Sequence, residues 1–123
     1  MTSGTDRTTA SGDFSVAVEP LVGGGCVVSV SGELDLATAP KLRDACSGRV
    51  LAADALLVDL TECTFIDSTG IASLLGLADE RAPLAAVVKP GSQPARVVEL
   101  TGVDKSLSVS PDRAQALASV GKA

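Results

Sequence analysis

The segment TFIDSTGIASLL, residues 64–75, sets an acid, two hydroxyls and a glycine between an apolar run and a helical apolar period. Asp67, Ser68 and Thr69 fall where a strand feeding a helix must turn. The first N–H groups of a helix have no intrahelical acceptor, and Ser, Thr and Asp are the side chains that cap them. One cap is enough, yet three candidates are present. The other chemistry that suits a helix start is phosphate, which the helix dipole and the free N–H groups favour. A phosphoryl group on Ser68 would add about −1.5 to −2 charges at pH 7. The fold would tolerate that charge, whereas Asp67 and any acidic or apolar partner surface would repel it. Ser68 is therefore either a cap or a switch.

Other chemistries are excluded by residue type. The chain has no histidine, so the usual general base and the commonest metal ligand are missing. A nucleophile elbow needs G-x-S-x-G, and residues 66–70 read I-D-S-T-G. Aspartic-protease motifs put Asp two residues before Gly, but Asp67 stands three before Gly70. Gly23, Gly24 and Gly25 are not followed by the G-K-[ST] of a phosphate loop. Cys26, Cys46 and Cys63 are widely spaced, which disfavours zinc and fits three small buried hydrophobes, with a minor place for redox chemistry at Cys63. No catalytic residue, metal or cofactor is expected, and the chain is not read as an enzyme.

Net charge is −5, and the ten Lys and Arg are scattered singly, so nucleic acid is not an expected partner. No apolar run approaches the roughly 18 to 20 residues of a membrane helix. The N-terminus MTSGTDRTTASGD lacks the apolar region of a secretory signal. A cytoplasmic protein without membrane partners is expected.

These residues need a scaffold, and the pattern supplies one. Residues 1–12 read as a flexible tail, and 13–120 as one domain. FSVAVEP and CVVSVSGELDL read as strands, the second ending near Gly32. A first helix is expected over 36–53, with Thr38 as N-cap and Pro40 in its first turn. ALLVDLT, residues 55–61, is a continuous apolar run of the kind that parallel sheets bury on both faces. TECTFID then reads as a connection and STGIASLLGLADE as the second helix. LAAVVK is a strand, and PGSQPARVVELTG is a third helix ending before Gly102. SLSV is a last strand, and a final helix opens with Ser110 as cap and Pro111 in first position. Strands alternating with helices predict an α/β fold: a mixed sheet of four to five strands with about four helices, mainly on one face.

On the second helix, Ile71, Leu74, Leu75 and Ala78 form a stripe for the sheet. The opposite stripe, Thr69, Ala72, Ser73 and Gly76, carries no charge. It is either a tightly packed face or a docking face for a partner protein.

Taken in order, these segments resemble a STAS domain of the anti-sigma factor antagonist (anti-anti-sigma factor) type, over roughly residues 14–119. SGELDLATAPKLRDA (31–45) resembles the family's G-E-[LI]-D segment. LLVDLTECTFIDSTGIASLLGL (56–77) resembles its strand, loop and D-S-[ST]-G helix start. PARVVELTGVDKSLSV (94–109) and DRAQALA resemble its last two helical elements. The resemblance implies partner switching. The unphosphorylated protein would bind an anti-sigma factor with serine kinase activity and so free a sigma factor. Phosphorylation of Ser68 would end binding, and a PP2C-type phosphatase would reset it. It also implies partner contacts at Asp67, Thr69 and Gly70, with Ala72, Ser73 and Gly76 along the bare stripe. Glu33 and Asp35 match the family's acidic pair; they are either part of this edge or loop acids, Asp35 capping the approach to the first helix. The alternative is a STAS scaffold or sensor module not controlled by phosphorylation. One departure stands out: Pro83 follows Gly76 by seven residues, so the second helix is expected to stop early and alter partner contacts at that end.

Overall fold

The computed structural model describes the backbone of residues 7–11 and all of residues 14–80 and 84–120. Six strands form one sheet in chain order: β1 (Arg7–Ser11), β2 (Phe14–Pro20), β3 (Gly25–Leu34), β4 (Ala55–Ile66), β5 (Leu84–Val87) and β6 (Ser108–Ser110). The first three run antiparallel, and β3 to β6 are parallel. Strands β2 to β6 make the mixed sheet expected from the sequence. β1 adds a short sixth strand at the edge, so the sheet reaches into the segment read as tail.

Helices α1 (Ala39–Ala45), α2 (Ser68–Glu80) and α3 (Gln93–Thr101) are the three crossovers between parallel strands. The strand order always advances in one direction, and right-handed crossovers then place all three helices on one face. α4 (Arg113–Ser119) follows the last strand and packs on the other face. Strand alternation divides the core accordingly. Val28, Val30, Leu56, Val58 and Leu60 face α1, α2 and α3, joined by Leu42, Leu74 and Val98. Val27, Leu57, Ala85 and Val87 face Ala116 of α4. The apolar run of β4 is thus covered on both sides.

Four expectations change. α1 is seven residues long and ends at Ala45; residues 46–54 are turns, with Gly48 at φ 61°. Thr38 sits at its N-cap position with helical backbone and no side-chain capping bond. β4 runs on through TECTFI, because the register with β3 shifts twice and keeps the pair together as far as Leu34 and Ile66. The second shift follows Gly32, whose φ of 92° suits a bulge. α4 is capped by Asp112, which accepts from the Gln115 N–H at 2.9 Å; Ser110 closes β6 instead. Pro83 lies outside the described residues.

Candidate functional site

The site is built where β3 and β4, hydrogen-bonded side by side, both run out. The Asp67 N–H donates to the Leu34 carbonyl at 3.3 Å, tying the two strand exits together. Asp67 then caps α2: its Oδ1 accepts from the Gly70 N–H at 3.0 Å, and its carbonyl accepts from Ile71 N–H at 3.0 Å. That is N-cap geometry. The cap is therefore Asp67 and not Ser68. Ser68 occupies the first helical position, exposed, and its hydroxyl bonds to no described residue.

Gly70 is buried for a packing reason. A Cβ there would lie 2.6 Å from the Leu34 carbonyl oxygen and 2.6 Å from Ile66 Cγ1. The glycine lets the first turn of α2 sit against both strand ends, and it cannot offer side-chain surface to a partner. The uncharged stripe of α2 divides. Ser73 is 4% exposed and donates its hydroxyl to the Thr69 carbonyl at 3.1 Å. Gly76 faces Arg43 of α1. Ser73 is therefore part of the packing, whereas Gly76 is half-buried with room for a Cβ. Ala72 is exposed and Thr69 half-buried, and both stay beside Ser68. The buried face of α2 is centred on Ile71, Leu74 and Leu77, leaving Leu75 and Ala78 only half-buried.

The β3 exit forms the other half of the edge. Asp35 Oδ1 accepts from the N–H groups of Ala37 and Thr38, at 3.0 and 3.2 Å. The Thr38 hydroxyl donates to the Glu33 carbonyl at 2.7 Å and accepts from the Asp35 N–H at 2.9 Å. Asp35 therefore folds its own loop into α1, the role sequence reasoning gave it as a loop acid. Glu33 is exposed and stands opposite Phe65 in the β3–β4 register.

Sequence reasoning missed three residues here. Leu36 is 73% exposed and Phe65 41%, large apolar side chains on the same rim. Gln93 of α3 holds the backbone of Ile66, as described below. Phe65 lies in TECTFID, which by composition reads as a connection; strand alternation carried to Ile66 turns it outward.

The remaining chemistry is structural. Among the described residues no group of three or more His, Cys, Asp or Glu is placed to hold a metal. Cys26, Cys46 and Cys63 are all buried. Burial pushes the Cys46 thiol up to about 12, with Cys26 nearby adding to it. Burial also raises Cys63, although hydrogen bonding to the Phe65 and Leu34 backbone opposes the shift. Such buried thiols with raised pKa are poor nucleophiles. No helix among the described residues is long and apolar enough to cross a membrane.

The fold and the edge define a class: a small α/β domain with an exposed hydroxyl at a helix start, ringed by acids and apolar side chains. A family model described as "Mlab, STAS domain" matches residues 19–110. The anti-sigma-F factor antagonist RsfB of Mycobacterium tuberculosis is 36% identical over 87 residues, covering 68% of this chain and 70% of that protein. An anti-sigma factor antagonist from Mycobacterium paratuberculosis superimposes with a TM-score of 0.80 at 34% identity, over 91% of this chain and 97% of that one. Bacillus SpoIIAA in its phosphorylated form shares the fold at 20% identity, with a TM-score of 0.60 over 85% of this chain and 98% of that one. The chain belongs to the STAS domain family, among the anti-sigma factor antagonists.

Proposed function

We propose that this chain is a phospho-regulated antagonist of an anti-sigma factor. Unphosphorylated, it binds an anti-sigma factor with serine kinase activity in the cytoplasm and frees a sigma factor. Phosphorylation of Ser68 ends binding, and a PP2C-type phosphatase restores it. The chain acts by binding rather than by catalysis.

One observation carries the reading: Asp67 does the capping, and the Ser68 hydroxyl is exposed and bonds to no described residue. A phosphate on that oxygen would sit by the N–H groups of the first turn, where the dipole favours an anion by about 0.3–1 kcal/mol. The fold would keep its shape. The surface would not keep its character, because Leu36 and Phe65 make part of this rim apolar. A phosphate carrying about −1.5 to −2 charges is costly to desolvate in such a contact. Asp67 and Glu33, which no ion pair reaches among the described residues, add repulsion. The kinship with RsfB, named as an antagonist of anti-sigma-F factor, supports the partner class. A solved phosphorylated form of a protein of the same fold supports the modification.

The test is binding of three forms to the anti-sigma factor of the same cell. Ser68→Ala should bind like the unmodified protein and ignore kinase and ATP. Ser68→Asp should bind at least tenfold more weakly. Equal binding of Ser68→Asp and wild type would remove the electrostatic switch.

A further inference from the structure

The turn that presents Ser68 is held from outside its own strands. β4 pairs with β5 only from Leu56 to Asp59. Beyond that point no strand among the described residues pairs with the β5-side edge of β4. Ile66, at the end of this edge, is 1% exposed. A backbone N–H or C=O buried there without a partner would be costly. Gln93, in the first turn of α3, satisfies both. The Ile66 N–H donates to Gln93 Oε1 at 2.8 Å, and Gln93 Nε2 donates to the Ile66 carbonyl at 3.0 Å. A primary amide presents donor and acceptor side by side and so replaces the missing strand. The next two residues are Asp67, the cap, and Ser68.

We propose that Gln93 is a positioning residue for the Ser68 turn. It fixes where β4 ends and α2 begins, and it ties the start of α3 to that turn. The contribution to switching rests on the function proposed above; the positioning itself does not.

Gln93→Met keeps the side-chain length and removes both bonds. Amide exchange on the full chain, read as protection factors, should fall about tenfold at Ile66, Gly70 and Ile71. Protection at Val28, Leu57 and Val87 should be unchanged. Gln93→Glu gives a readout that simple loss of packing would not. At neutral pH its carboxylate still accepts from the Ile66 N–H but repels the Ile66 carbonyl, so protection at Ile66 should fall, though less than in Gln93→Met. Once protonated, it again offers one donor and one acceptor. Protection at Ile66 should then recover as pH falls through the carboxyl range, about 4, while Gln93→Met at the same pH does not recover. Unchanged protection in Gln93→Met, an equal loss at Val28, Leu57 and Val87, or no recovery in Gln93→Glu would each overturn the proposal. In native cells, Gln93→Met should also lower the phosphorylated fraction of Ser68 several-fold at equal protein level. An unchanged fraction would overturn its part in switching. A wild type that never carries phosphate would sink the switch itself and leave the exchange result to decide on positioning.

Discussion

Two aspartates that follow one another along β4 and its exit meet opposite fates. Asp59, on the face covered by α4, is 9% exposed and has its partners supplied. Oδ2 accepts from Arg113 Nε at 2.8 Å, and Oδ1 accepts from the N–H and hydroxyl of Thr61. Arg113 reaches on to Ser29 Oγ at 3.1 Å and Glu19 at 3.5 Å, pinning α4 across β2, β3 and β4. Asp67 is half-buried, uses one oxygen on its own helix, and stands beside an exposed hydroxyl that no described residue bonds. Both are acids in turns or strands of the same sheet. The first is neutralised by its surroundings and serves stability. The second sits among groups left over after folding, and leftover groups are what a partner or a kinase can use.

Substitutions can break or sharpen this contrast. The largest loss of stability should come from Gly70→Ala, beneath the Ser68 turn. Its Cβ would press on the Leu34 backbone, which cannot yield as a flexible side chain would. A loss of about 2–3 kcal/mol is expected from overpacking, read as a lower urea midpoint. Wild-type stability there would show that α2 is free to lift and that the turn is less rigid than described.

Arg113→Ala comes next. It leaves Asp59 nearly buried with half its partners, but the Arg113 side chain is 43% exposed, so water screens the pair. A loss of about 1–2 kcal/mol is expected. A smaller effect belongs to pH. Burial pushes the Asp59 carboxyl up, but the hydrogen bonds from Thr61 and Arg113 and the Arg113 charge outweigh it and hold the group below its usual range. Its contribution is therefore complete above the unfolded value of about 3.9 and is lost as pH falls through the lower folded value. Asp59→Asn should flatten the acid limb of the stability–pH curve. An unaltered acid limb would mean that Asp59 is no structural acid. Ser68→Ala should change stability least, within about 0.5 kcal/mol, because Asp67 keeps the cap.

Much of the scaffold was legible because local pattern and tertiary environment agree. α2 spans the residues read as helix, and α3 begins after Ser92, whose side chain caps it, and ends at Gly102, in left-handed conformation at φ 74°. The apolar run of β4 announced a strand buried on both faces. What escaped depends on contacts distant in sequence. α1 was drawn too long because Ala, Cys, Val and Leu after Ala45 keep an apolar pattern while serving turns under the sheet. TECTFI looks like a loop by composition, and only pairing with β3 makes it a strand. The small residues of this stripe suggested a bare surface, and only the tertiary fold shows Ser73 to be buried. Gln93 could not be assigned at all, since its partner lies 27 residues away. For the site itself, the sequence offered Asp67, Ser68 and Thr69 as candidates for one cap. The structure separates them.

The measurement closest to the central claim is the intact mass of the protein taken from its native cells, with peptide mapping of residues 64–75. One phosphate on Ser68, its fraction changing between growth and stress, is the result predicted. A Ser68 that stays unmodified in both conditions would contradict the switch. The chain would then be a STAS interaction module whose exposed serine is never a phosphoacceptor.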